Sequence, residues 1–135
     1  MVGEILGHRV GWVSPTLSRA AYDLRVDALR RTLAALPSDA PVRLRKPQRS
    51  SNLFRARQRA HRALDVAGLA GVLEIDTTGR TADVLGMTTY EDLLAATLPH
   101  GLMPLVVPQL KTITLGGAVT GLGIESTSFR SGCPH

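Results

Sequence analysis

The 135-residue chain is 44% hydrophobic and 20% charged, a balance that excludes a disordered polypeptide and suits one domain burying roughly two-thirds of its unfolded surface. Aromatic residues make up only 4%, so Leu, Val, Ile and Ala must fill the core. The net charge of +5 is unevenly placed: residues 1–62 hold 13 Arg or Lys against 4 Asp or Glu, and residues 63–135 hold 3 against 7, so the basic character is concentrated between Arg43 and Arg62 rather than spread over the chain.

In chain order, the opening MVGEILGHRVGWVSP has no basic stretch followed by a long apolar one, so no cleaved signal peptide is expected. Ser14-Pro15 is a helix-start signal, because a serine hydroxyl accepts a backbone N–H and proline fits the first helical position. Leu17, Ala21, Leu24, Ala28, Thr32 and Leu36 recur at three- and four-residue spacing, which predicts one apolar helix face ending at Pro37. Residues 1–40 thus read as an N-terminal helical segment. Val42, Arg43, Leu44 and Arg45 alternate as a half-buried strand would. The following RKPQRSSN has turn and hydrogen-bonding chemistry throughout.

Val72, Leu73 and Ile75 predict a strand and Thr81 to Leu85 another, joined as a hairpin through Asp76-Thr77-Thr78-Gly79. Thr88 or Thr89 is placed to cap a short helix through Tyr90, Leu93, Leu94 and Leu98, with Glu91 and Asp92 in its first turn. Pro99-His100-Gly101 stops it. Leu105-Val106-Val107, closed by Pro108, reads as a short buried strand. Strands and helices therefore alternate, which predicts a small α+β or α/β unit with a mixed sheet and flanking helices.

The remaining segment, TITLGGAVTGLGIESTS over 112–128, is the most specific in the chain. Glycines at 116, 117, 121 and 123 permit close approach of a ligand to main-chain N–H groups, and successive N–H groups at a turn or helix N-terminus suit an anion. Hydroxyls at Thr112, Thr114, Thr120, Ser126, Thr127 and Ser128 add further donors. Two phosphate motifs are absent: no Gly-Lys-Ser or Gly-Lys-Thr closes a phosphate loop, and Gly121-Leu122-Gly123-Ile124-Glu125-Ser126 has serine where a dinucleotide fingerprint needs its third glycine. The bland alternative is a tight turn with close backbone packing.

Residues 107–132, VPQLKTITLGGAVTGLGIESTSFRSG, resemble the pyrophosphate-binding region of the FAD-binding domain shared by p-cresol methylhydroxylase and vanillyl-alcohol oxidase, closest to its sterol Δ24-reductase-like branch. VRLRKPQRSSNLFR over 42–55 falls where that family places its first flavin loop, so the resemblance covers about residues 41–135. It implies a FAD-dependent oxidoreductase in which Thr114, Gly116, Gly117, Thr120, Gly121, Gly123, Ile124, Glu125 and Ser126 line the FAD diphosphate. Lys46, Ser50, Ser51 and Asn52 match a second phosphate-contacting turn. That first loop has neither histidine nor cysteine here, which implies non-covalent FAD.

The same resemblance implies that 41–135 is only the first part of the FAD-binding domain. The second subdomain and the substrate domain, which would bind a small-molecule substrate, are not in this sequence, so the chain is expected to be incomplete and inactive alone. No catalytic acid or base is nameable. Alternatives are a basic nucleic-acid-binding module on Arg43–Arg62, weakened by Phe54 being its lone aromatic, and a non-functional truncated remnant.

Cys133 is the single cysteine, so no internal disulfide forms and a reducing, cytoplasmic compartment is expected, with the thiol read as small and buried. The longest apolar region, Gly101–Gly123, is broken by Pro104, Pro108 and Lys111, so no stable membrane insertion is expected. His8, His61, His100 and His135 are too dispersed to predict a metal site, and His100 reads as a helix-end residue.

Overall fold

The computed structural model describes residues 16–39, 41–46, 62–121 and 123–134. Their element order is α1 (Arg19–Ala34), β1 (Val42–Arg45), β2 (Arg62–Asp65), β3 (Val72–Asp76), β4 (Thr81–Val84), α2 (Tyr90–Thr97), a 3-10 turn (Leu98–His100), α3 (Leu115–Thr120) and α4 (Ser128–Ser131). This is a small α+β arrangement. Its four described strands form two separate two-stranded sheets, β1 with β2 in parallel and β3 with β4 antiparallel, not the single mixed sheet expected.

The β3–β4 hairpin forms as the sequence predicts, with Asp76 opposite Thr81 and Val72 opposite Val84. Its turn is held by the Asp76 side chain, whose Oδ1 accepts the N–H groups of Thr78 and Gly79 at 2.9 Å each, the local bonding that makes aspartate a turn residue. Helix α2 also forms where expected, and Thr89 is its cap: Oγ1 accepts the Asp92 N–H at 3.1 Å and donates to Asp92 Oδ2 at 2.7 Å. The 3-10 turn then ends at Gly101, whose φ of 70° is the left-handed conformation a side chain would resist. His100 accordingly sits at a helix end.

Other expectations need correction. Ser14 and Pro15 lie outside the described residues, and α1 is instead capped by Ser18, whose hydroxyl accepts the Ala21 N–H. The partly buried positions of α1 are Ala21, Tyr22, Val26 and Leu29, while Leu24 of the expected face is 72% exposed. The helix is oriented by long polar side chains as much as by apolar ones: Arg19 pairs with Asp83 at 2.6 Å and Arg25 donates to the Gly68 carbonyl at 2.6 Å. β1 is exposed along its whole length rather than half-buried, because its neighbour is only β2. Leu105-Val106-Val107 forms no strand; only Val106 is buried there, and Leu105 is exposed. Pro104 and Pro108 on either side lack the N–H that a ladder requires, which fits the irregular backbone.

The core sits between the hairpin and the two central helices. Val72, Tyr90, Leu93, Ala96 and Ala118 are buried together, with Ile75, Val84, Val107, Ile113 and Leu115 packed around them. Thr88, wholly buried, ties this core to the start of β3: Oγ1 accepts the Gly71 N–H and donates to the Gly71 carbonyl, both at 2.9 Å. Burial of the polar hydroxyl is thus matched by two hydrogen bonds, as a buried group requires. No helix among the described residues is long and apolar enough to cross a membrane.

Candidate functional site

The glycine-rich segment begins not as a turn but as helix α3. Thr114 caps it, with Oγ1 accepting the Gly117 N–H at 3.2 Å, while Thr120 Oγ1 donates back to the Gly116 carbonyl at 2.7 Å. An isolated bridge pairs Thr114 with Thr89 in antiparallel fashion, so the caps of α3 and α2 lie side by side. The two helix starts satisfy each other. Tyr90 N–H donates to the Ile113 carbonyl at 3.0 Å and Leu115 N–H to the Thr88 carbonyl at 2.8 Å. Glu91 adds both a backbone bond to the Lys111 carbonyl at 3.0 Å and an ion pair to Lys111 Nζ at 2.6 Å.

The first N–H groups of a helix are its natural anion donors because no carbonyl of the preceding turn reaches them. In α3 each of these donors has an acceptor. Leu115 bonds Thr88, Gly116 bonds the Gly86 carbonyl at 2.8 Å, Gly117 bonds Thr114 Oγ1 and Ala118 bonds the Thr114 carbonyl at 3.0 Å. The absence of a side chain at Gly116 also has an internal cause. A Cβ there would stand 2.8 Å from the Gly86 carbonyl oxygen and 3.2 Å from Gly86 Cα. At Gly117, a side chain would first meet Thr114 Oγ1, at 2.9 Å. Backbone packing, the bland alternative, therefore accounts for this half of the segment.

Beyond α3 the donors become available. Gly121 N–H caps the helix on the Gly117 carbonyl and Gly123 N–H on the Ala118 carbonyl, while Glu125 N–H is taken by Ser128 Oγ at 3.0 Å. The N–H groups of Ile124, Ser126 and Thr127, and the Ser126 hydroxyl, donate to no acceptor among the described residues. Ile124 is 77% exposed, and Ser126 and Thr127 are exposed as well. Thr127 Oγ1 anchors the loop by donating to the Leu105 carbonyl at 3.2 Å. Glu125 is half-buried, and its carboxylate acts with burial, the larger cause, to push the Tyr90 phenol above its ordinary value.

Of the second expected turn, Ser50, Ser51 and Asn52 lie outside the described residues. Lys46 follows β1, half-buried, and no hydrogen bond or ion pair among the described residues links it to 114–126. Cys133 is exposed, contrary to the expected buried thiol; it lines the rim of an open cavity rather than the packed core. Among the described residues no cluster of His, Cys, Asp and Glu has the arrangement of a metal site. Sequence reading missed Gly86 and Thr88, whose carbonyls occupy the α3 donors. Their sequence signal, a Gly-x-Thr-Thr before a helix, is readable as a cap but not as the partner of a segment so far along the chain.

No protein-family model matches the chain. It is 34% identical over 68 residues, half of its length, to the Delta(24)-sterol reductase of Arabidopsis thaliana, and 31% identical over 72 residues to that of Pisum sativum. It is also 34% identical over 65 residues to cytokinin dehydrogenase 2 of Oryza sativa subsp. japonica. The matched stretch spans only 12% to 13% of each of these relatives.

Proposed function

We propose that the chain is a FAD-binding segment of a flavin-dependent oxidoreductase, with residues 41–135 forming the first part of the FAD-binding domain. The observation that carries this reading is the similarity of half of the chain to two Delta(24)-sterol reductases and a cytokinin dehydrogenase, FAD-binding oxidoreductases of the p-cresol methylhydroxylase type. The sterol reductases belong to the branch that the 107–132 motif resembles. When bound, the flavin supplies the electron-accepting chemistry, and protein groups position it.

The open donors of the 123–127 loop fit a diphosphate. Ile124, Ser126 and Thr127 offer main-chain N–H groups and Ser126 a hydroxyl, without a formal positive charge to hold a counterion in competition. Thr114, Gly116 and Gly117 then act one step back: they fix the α3 start against Gly86 and Thr88, and so set where the loop emerges.

The test is a titration of the 135-residue chain with FAD, read by flavin fluorescence anisotropy, with ADP and riboflavin as competitors. Saturable FAD binding that ADP reverses and riboflavin does not is the expected result, because the diphosphate is the group held. Ser126→Asp, which sets a like charge among the open donors, should remove that binding. Equal competition by riboflavin, or FAD binding that Ser126→Asp leaves intact, would overturn the assignment.

A further inference from the structure

The hairpin turn, one side of α2 and the 101–106 loop enclose an open cavity of about 400 Å³, within the size range of small-molecule sites. None of the described residues assigned to the diphosphate lines it, although Leu105, whose carbonyl anchors Thr127, does. Its walls are apolar, formed chiefly by Leu93, Leu102, Leu105, Val106 and Leu115. Exposed apolar area of this kind is ordinarily covered in a folded protein.

Arg80, Thr81, Tyr90 and Thr97 bring polar groups to the lining, and two of them bear on a ligand. Thr97 is 4% exposed, and its Oγ1 is the one buried side-chain oxygen without a hydrogen-bond partner among the described residues. A buried hydroxyl left unsatisfied is unfavourable, and a ligand oxygen in the cavity that Thr97 lines would relieve it. Arg80, exposed and also lining the cavity, holds a φ of 56° and has no carboxylate partner among the described residues, and it is the arginine that lines this cavity. Arg80 thus joins the lining from a left-handed backbone conformation that glycine or asparagine adopts more easily.

We propose that this cavity binds a small amphipathic anion: an apolar skeleton against the leucine walls, a hydroxyl or carbonyl oxygen bonded to Thr97 and an acidic group paired with Arg80. A hydroxylated medium-chain carboxylate is the chemical class. Both polar groups have the donor chemistry for it, and the guanidinium excludes an amine in the same place.

Cys133 gives a direct readout, because it is the chain's single cysteine, is exposed and lines the same cavity. The experiment follows the rate of Cys133 alkylation by a maleimide on the full chain, with 10-hydroxydecanoate, decanoate and 1,10-decanediol as probes. Saturable slowing by 10-hydroxydecanoate is expected, with the other two weaker. Arg80→Gly, which suits the left-handed backbone and leaves the Asp76 turn bonds in place, should weaken 10-hydroxydecanoate and decanoate about fivefold, the upper end for one exposed ion pair, and leave the diol unchanged. Thr97→Val, near-isosteric, should bring 10-hydroxydecanoate down to decanoate, and Leu102→Trp should remove protection by all three. The proposal fails if no probe protects saturably, if Arg80→Gly weakens the diol equally, or if Leu102→Trp leaves protection intact.

Discussion

Gly116→Ala tests the central packing of the fold, because two physical terms oppose each other there. In an exposed helix the change would help by roughly 0.5–1 kcal/mol, since alanine loses less backbone entropy than glycine. Here the new methyl would lie 2.8 Å from the Gly86 carbonyl oxygen, with Gly86 Cα and C at 3.2 and 3.3 Å. All three are main-chain atoms, so no side chain can swing aside. Overpacking of this kind costs about 1–3 kcal/mol. Pushing the two backbone segments apart also strains the Gly116 N–H bond to Gly86, worth about 1 kcal/mol. The steric and hydrogen-bond terms win, for a net loss of about 2 kcal/mol, or roughly 8 °C in Tm for a chain of this size. The reciprocal change is the control. A Cβ on Gly86 would meet only Gly116 Cα, at an ordinary 3.7 Å, so Gly86→Ala should stay within about 0.5 kcal/mol of the parent. Urea unfolding of both variants measures the asymmetry; a Gly116→Ala chain as stable as the parent, or two equal losses, would refute the backbone contact.

Three further outcomes are expected. Thr88→Val keeps the shape of a buried side chain but strips the Gly71 N–H of its acceptor, and should cost about 2 kcal/mol in urea unfolding. Thr114→Ala removes the α3 cap and should cost about 1 kcal/mol, with faster amide exchange at Gly117 as its local signature. For Tyr90, burial first and Glu125 second raise the folded phenol's pKa above the ordinary 10.0, so the stability linked to its neutral form is full below 10.0 and declines as pH rises through the raised folded value. Between about pH 9 and 11 the parent should therefore lose stability more steeply than Tyr90→Phe in urea titrations; parallel pH curves would exclude that linkage.

Elements whose determinants lie within a few residues were legible in the sequence. The β3–β4 hairpin needs Asp76 to bond Thr78 and Gly79, and α2 needs Thr89 to bond Asp92; both signals are contiguous, and both elements form where they are read. The family resemblance was legible too, read from residue order at 107–132, and the similarity of half of the chain to the sterol reductases and the cytokinin dehydrogenase agrees with that resemblance. Residue order did not reveal which of its N–H groups a ligand can reach. The α1 face was misread because periodicity alone does not register that Arg19 and Arg25 reach across to Asp83 and Gly68.

By itself, then, the sequence determined the β3–β4 hairpin, helix α2 and the kind of protein the 107–132 motif resembles, because turn chemistry, caps and motif order are short-range properties. Only the tertiary structure decided what Gly116 packs against. Gly116 lies against Gly86 and the α3 donors are spent on Gly86, Thr88 and Thr114, whereas the N–H groups of Ile124, Ser126 and Thr127 have no acceptor among the described residues. The reason is that hydrogen-bond capacity is finite: a main-chain N–H that has found a carbonyl distant in sequence is no longer available to an anion.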